Sequence, residues 1–308
     1  MDPFVSVIIP NYNHSKFLNI RIESVLNQTY KNFEIIILDD KSSDNSKEII
    51  KRYEKNEHIS NIVFNNQNSG STFKQWQKGF ELAKGEYIWI AESDDTCEKE
   101  LLDTLIAEFE QDHNCVAAFC KSIKINTEGE IIGEEGLNHS FHINGIDFIK
   151  KYLSRQNYIA NASSAIFKKN VLSKIDKNYT EFHGCGDWIF WIEISACGYV
   201  SYNNTPLNFF RIHNNNTTIE QAYNGKNEIE GVQVYQYMRS QKYIGYKEEL
   251  RARISHIYSV TYGKQHTFYA PQTRKEILKA WKETIFIKFL TWGIHLIQSH
   301  TNLQIIRR

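Results

Sequence analysis

The chain has 308 residues, 41% of them hydrophobic and 13% aromatic, enough for a substantial core in one large domain or two ordinary ones. Formal net charge is zero but unevenly spread: from Arg239 onward 13 Lys and Arg face 4 Asp and Glu, a net of +9, which leaves −9 on residues 1–238. The five cysteines (Cys97, Cys115, Cys120, Cys185, Cys197) form no C-x-x-C pair, the N-terminus lacks a basic signal-peptide start, and no 18-residue apolar run occurs. These features exclude a zinc-ribbon spacing, argue against a disulfide framework and a membrane span, and predict a cytoplasmic setting.

In chain order, "VSVII" (5–9) predicts a buried strand, and a helix follows over 16–26 with Leu18, Ile22 and Val25 on one face. "FEIIIL" (33–38) is the second strand, and "SSDNSKEIIKRYEK" opens with capping residues and continues as a helix. "NIVF" (61–64) and "EYIWIA" (86–91) are further strands, with helices over 72–83 and 99–112. "VAAFCKSIKI" (116–125) leads into a turn at "NTEGE". Strand-like "SSAIFKK" and "SYNNTPLNFFRI" then flank a helix near 187–197, and only helices are expected after about 219. Continuously apolar strands alternating with helices predict an α/β fold with a mostly parallel central sheet covered on both faces, plus a helical C-terminal extension. The expected division is a catalytic domain over 1–218 and the extension over 219–308.

Three strands end in polar clusters: Pro10-Asn11-Tyr12-Asn13, Asp39-Asp40, and Glu92-Ser93-Asp94-Asp95. Ligands of open parallel sheets bind outside the carboxyl ends of the strands, so one ligand reaches all three. Neither G-x-G-x-x-G nor a P-loop follows the first strand, so phosphate needs another counter-charge. Carboxylates holding Mg2+ or Mn2+ supply it, and the cation in turn lets adjacent carboxylates coexist.

The stretches "VSVIIPNYNHSKFLNIRIESVLNQTYKNFEIIILDDKSSDNS", "NSGSTFKQWQKGFELAKGEYIWIAESDD" and "HGCGDWIFWIEISACG" resemble the family 2 glycosyltransferases of the GT-A, Rossmann-like fold, of the kind that builds bacterial surface polysaccharide. The resemblance implies inverting transfer of a sugar from a nucleotide diphosphate sugar, of UDP or dTDP type, to the hydroxyl of a glycan or lipid-linked glycan acceptor. It implies Pro10 and Tyr12 at the nucleobase, with Tyr12 stacking on it. Asp40 would hydrogen-bond the base, while Asp39 and Asn13 support the loop. "ESDD" stands at the family's D-x-D position, which makes Asp94 the principal metal ligand and sets Glu92 and Asp95 on the ribose, the sugar or the metal's water shell. Asp187 matches the catalytic carboxylate, the general base.

Glu92 stands where the family usually has aspartate, and Lys74 or Gln75 takes the place of a family arginine. Arg211 and His213 are candidates for the diphosphate, with His213 also a candidate for the metal. The alternatives are a nucleotidyltransferase and a catalytically inactive sugar-nucleotide-binding subunit.

In the basic tail, Ile277, Leu278, Trp281, Ile285, Phe289, Trp292 and Leu296 recur at helical spacing among lysines. Such a face over 272–308 suits peripheral contact with anionic lipid on the inner side of the cytoplasmic membrane, or packing on the catalytic domain or a second copy as a homo-oligomer. The charges are spread through apolar helices, so no nucleic-acid partner is expected.

Overall fold

The computed structural model describes residues 3–159, 161–213, 224–263 and 265–300, with the side chains of 299 and 300 excepted. Its strands are, in chain order, β1 (Val5–Asn11), β2 (Phe33–Asp39), β3 (Ile59–Phe64), β4 (Tyr87–Ile90), β5 (Thr96–Cys97), β6 (Cys115–Ile125), β7 (Ile131–Glu135), β8 (Phe141–Asn144), β9 (Ala165–Lys168) and β10 (Tyr199–Arg211). They join in one sheet of order β3-β2-β1-β4-β9-β6-β10-β5, with β7 on β6 and β8 on β10. β1, β2 and β4 are buried at every residue, which is why they read as unbroken apolar runs rather than alternating ones.

The pairings β3–β2, β2–β1 and β1–β4 are parallel, as is β6–β10. Between these blocks β9 runs antiparallel to both β4 and β6, and β5, β7 and β8 also add antiparallel. The central sheet is therefore parallel through its N-terminal block and mixed beyond it.

Helices α1 (Ser15–Leu26), α2 (Ser46–Lys51), α3 (Thr72–Leu82) and α4 (Leu101–Gln111) connect the early strands. Side chains alternate across a strand, so the odd-numbered Val5, Val7 and Ile9 of β1 join one core cluster with Leu18, Ile22 and Val25 of α1 and Leu101, Leu102 and Leu105 of α4. The even-numbered Ile8 meets α3 at Gly79, on the opposite face. The second helix stops at Lys51: residues 52–55 close in turns whose amides reach back only three residues, so the helix is shorter than its amphipathic pattern.

Two compact units are present, neither continuous in sequence. The first, 1–145, 159–181 and 190–213, holds the whole sheet. The second gathers 146–158, 182–189 and 214–308. A short α5 (Gly145–Phe148) and the longer α6 (Gly186–Ala196) each belong partly to both. The expected boundary at 218–219 lies outside the described residues.

The second unit carries α7 (Lys226–Ser240), α8 (Tyr246–Thr261), α9 (Gln265–Phe268), α10 (Pro271–Ala280) and α11 (Ile285–His300). Its core sets the Trp281 ring on His256 at 4.3 Å, with the Trp281 indole donating to the Glu228 carbonyl. Trp188 is a core residue here: its indole donates to the Leu153 carbonyl and its ring meets Tyr235 edge-on.

One correction concerns the tail. The apolar residues read as a single stripe fall on the two sides of a break, with different fates: Ile277 and Trp281 are buried, whereas Ile285, Phe289, Trp292 and Leu296 are exposed. A break at residues 281–284, with Lys282 at φ 51°, separates them. Residues 301–308 of the proposed membrane segment lie outside the described residues.

Candidate active site

The carboxyl ends of β1 and β2 are tied by a loop network. Asp39 accepts from the Asn11 amide at 2.8 Å and from the Ser42 hydroxyl and amide at 2.6 and 3.0 Å. Asn13 sits at φ 57°, a left-handed conformation that asparagine tolerates. From there its side-chain oxygen accepts from the Ser43 amide, and its own amide donates to Ser42. Pro10 is buried in the strand, and Tyr12 emerges beyond it with 49% of its surface exposed.

Asp40 is buried and heavily engaged. Its carboxylate accepts from the Ser69 amide and hydroxyl, the Asn65 amide at 2.7 Å and the Gln75 amide at 3.0 Å. It thereby pins the 65–71 loop to β2. Gln75 belongs to that buried network, while Lys74 stands exposed with its amine 3.3 Å from the Ser69 carbonyl. The two candidates for the missing arginine thus occupy different surroundings, and only Lys74 presents a cation.

After β4, the three carboxylates diverge. Asp95 is fully buried and accepts from Asn161, Ser163 and the Arg211 backbone amide, with the Arg21 guanidinium at 3.8 Å. Burial and the Asp94 charge push its carboxyl up to about 6, against the pull of Arg21. Glu92 turns the other way, accepting from the Trp76 indole at 2.8 Å, and burial with the neighbouring Asp94 pushes it up to about 8.

Asp94 faces His213, whose Nε2 lies 3.0 Å from Oδ2. Burial acts to raise its carboxyl, but the His213 hydrogen bond and the two nearby imidazoles outweigh burial and hold it below the ordinary range. His14 is the second of those imidazoles. One donor atom each from His14, Asp94 and His213 lie within 4.8 Å of one another, a set able to hold a divalent ion. Burial lowers the His14 pKa, which favours the neutral form that ligates.

Arg211 packs its guanidinium on Phe17 at 4.6 Å and donates to the backbone carbonyls of Asp94 and Asn126 at 2.8 Å. It braces the acidic loop.

Asp187 lies in the second unit, in the first turn of α6. One oxygen accepts from the Trp188 amide at 2.7 Å and the other from the Asn157 side chain at 2.9 Å. Burial nevertheless pushes the carboxyl up to about 7. Glu230 accepts from the amides of residues 183–185 just before it and so fixes the approach to this helix.

Reading the sequence did not single out His14, Arg21, Asn161 or Ser163. Two carried a signal. Arg21 occupies the same helical face as Leu18, Ile22 and Val25, a position where a charge is costly without a buried partner. His14 directly follows "PNYN" on the edge already assigned to ligand.

With this geometry described, comparison with known proteins decides the family. The sequence model for glycosyl transferase family 2 matches residues 6–175, more than half of the chain. The chain belongs to that family. It is 26% identical over 192 residues to the GalNAc(5)-diNAcBac-PP-undecaprenol beta-1,3-glucosyltransferase of Campylobacter jejuni, covering 62% of this chain and 60% of that one. The match spans about half the length of the first curated relatives, 53% and 46%, and between 16% and 66% of the first eight. Among solved structures, S. aureus TarS 1–349 in complex with UDP-GlcNAc aligns at TM-score 0.60 and 15% identity, covering 96% of this chain and 91% of that one. The mannosyltransferase PcManGT from Pyrobaculum calidifontis, in complex with GDP-Man and Mn2+, aligns at TM-score 0.57 and 15% identity over 97% and 81%. At this identity the two structures establish the GT-A fold, and their ligands are properties of those proteins.

Proposed function

We propose that this family 2 glycosyltransferase is a metal-dependent, inverting enzyme that moves a sugar from a nucleotide diphosphate sugar to an acceptor hydroxyl in cell-surface polysaccharide synthesis. The observation that carries the reading is Asp94 paired with His213, a donor set for a divalent cation on the sheet edge where β1 also ends before the exposed Tyr12. A cation there neutralises the leaving diphosphate as a Lewis acid.

Tyr12 stacks on the base, with Pro10 beneath it, and Asp39 and Asn13 keep the loop in shape. Asp40 reads the base by exchanging one of its present partners. Lys74 takes the diphosphate charge that the family arginine would carry. Glu92 contacts the ribose or sugar, and Asp95, Gln75 and Arg211 position the loops. Asp187 is the proposed base, on its family motif and its raised pKa. We favour a UDP-type donor and a lipid-linked glycan acceptor, in keeping with the donor of TarS and the named acceptor of the C. jejuni relative. All these residues fall within 1–218, and the helices after 219 are proposed as an accessory extension.

The test is hydrolysis and transfer across a panel of nucleotide sugars with and without Mg2+ or Mn2+. One donor should turn over, chelator should abolish turnover, and Asp94→Ala should lower it at least about a hundredfold. Full activity in excess chelator would refute the metal. A chain that binds donor without cleaving or transferring it would be a binding subunit.

A further inference from the structure

Resting on the cation reading above, we propose that His14 is a third protein ligand, which makes the site a His–Asp–His set that prefers Mn2+ to Mg2+. The three donors come from separate segments: the loop between β1 and α1, the loop after β4, and the residues just past β10. Their approach to within 4.8 Å is therefore a product of the tertiary fold rather than of local helix geometry. That spacing lets one ion reach all three after small side-chain rotations.

The ring of His14 is also held. Its Nδ1 lies 2.8 Å from the Ser93 hydroxyl, and its ring meets His213 edge-on at 5.4 Å. A hydrogen bond on one imidazole nitrogen is the usual support of a metal-binding histidine and holds the ring's direction; with Nδ1 donating to the Ser93 hydroxyl, the other nitrogen keeps its lone pair for the ion. Ser93 belongs to the same "ESDD" segment as Asp94, so one turn supplies both a ligand and the support of another.

The donor chemistry sets the choice of ion. Mg2+ demands hard oxygen ligands in near-ideal octahedral geometry and gives up water reluctantly. Two imidazoles beside a single carboxylate suit first-row transition ions better. Glu92, which an oxygen-rich site would recruit, instead accepts from Trp76.

The experiment uses the full chain and Mn2+ alone, without nucleotide. Titration followed by loss of the free-ion EPR signal should show one saturable site, with Mg2+ competing at least about tenfold more weakly. His14→Ala and His14→Gln should each weaken Mn2+ by about tenfold or more. Pulsed EPR should count two coordinated imidazole nitrogens in the wild type and one in either variant, with circular dichroism unchanged. An undiminished Mn2+ affinity and nitrogen count in both variants, while Asp94→Ala loses the ion, overturns the role of His14 and leaves the cation reading intact. No saturable binding by the wild type without nucleotide overturns the three-ligand set, and Mn2+ binding that survives Asp94→Ala overturns both.

Discussion

At the scale of single residues, the functional consequence turns on ionisation. A general base works only when ionised, and burial pushes Asp187 up to about 7. Turnover should therefore rise with pH through about 7 and level off above it, because the protonated acid below that point cannot accept the acceptor's proton. Glu92 and Asp95 are raised as well, to about 8 and about 6, so the profile alone does not assign the limb. Asn157 does. It donates to the ionised carboxylate, so Asn157→Ala should move the acid limb to higher pH. Asp187→Asn keeps the shape and should lose roughly a hundredfold or more in turnover. A limb that stays in place in Asn157→Ala, or near-normal turnover in Asp187→Asn, would reject the assignment.

Some of this was legible in the sequence, because a carboxylate cluster at the end of an apolar strand is unusual on its face. The partition among the carboxylates was not. Whether Asp40 meets solvent or four donors depends on where the 65–71 loop lands, and Asp95 meets Arg211 across 116 positions of sequence.

At the scale of elements, α3 shows how packing holds the site. It lies against β1 through Gly79, where an added Cβ would fall 2.5 Å from Ile8 Cγ2. Helix propensity favours alanine over glycine by about 1 kcal/mol. Overpacking a filled interior costs about 1–3 kcal/mol. Ile8 is fully buried on a central strand and has nowhere to retreat, so overpacking should win. Gly79→Ala is expected to lower the melting temperature, and Ile8→Ala in the same chain should recover part of that loss relative to Ile8→Ala alone. An increase in melting temperature in the single variant would show that α3 is free to shift. Such a shift would also move Trp76 and Gln75, which hold Glu92 and Asp40 from the same helix.

The strands that position this helix were readable because both their faces are apolar. The mixed part of the sheet was not, since β9 sits between β4 and β6 through pairings more than 40 residues away in sequence. No local pattern encodes such a neighbour. For the same reason, nothing in composition marks 146–158 and 182–189 as partners of the C-terminal helices.

At the scale of the whole molecule, the net charge of +9 from Arg239 onward goes with an exposed apolar face on the last helix. Ile285 at 76%, Phe286 at 66%, Phe289 at 66% and Trp292 at 51% exposure line one side of α11, while Ile287 and Thr291 are buried on the other. Lys279 on α10, Lys282 in the break and Lys288 on α11 are exposed. Among the described residues no helix is long and apolar enough to cross a membrane. An interfacial helix needs less: one apolar side, aromatic anchors, and basic residues that meet anionic headgroups. We propose that α11 serves this role, holding the enzyme where a lipid-linked acceptor resides. A second copy of the chain would cover the same face by apolar burial alone, and salt separates the two cases. Attraction of exposed lysines to anionic lipid weakens as ionic strength shortens the Debye length, whereas an apolar dimer tightens or stays unchanged. The 308-residue chain should co-sediment with vesicles containing anionic lipid at low salt and release as salt rises. The double change Phe289→Glu with Trp292→Glu should abolish sedimentation while circular dichroism stays constant, because both side chains project away from the buried side. Equal binding to neutral vesicles would remove the role of the lysines, and a concentration-dependent dimer that the same pair of changes dissociates would place a protein rather than a bilayer on this face.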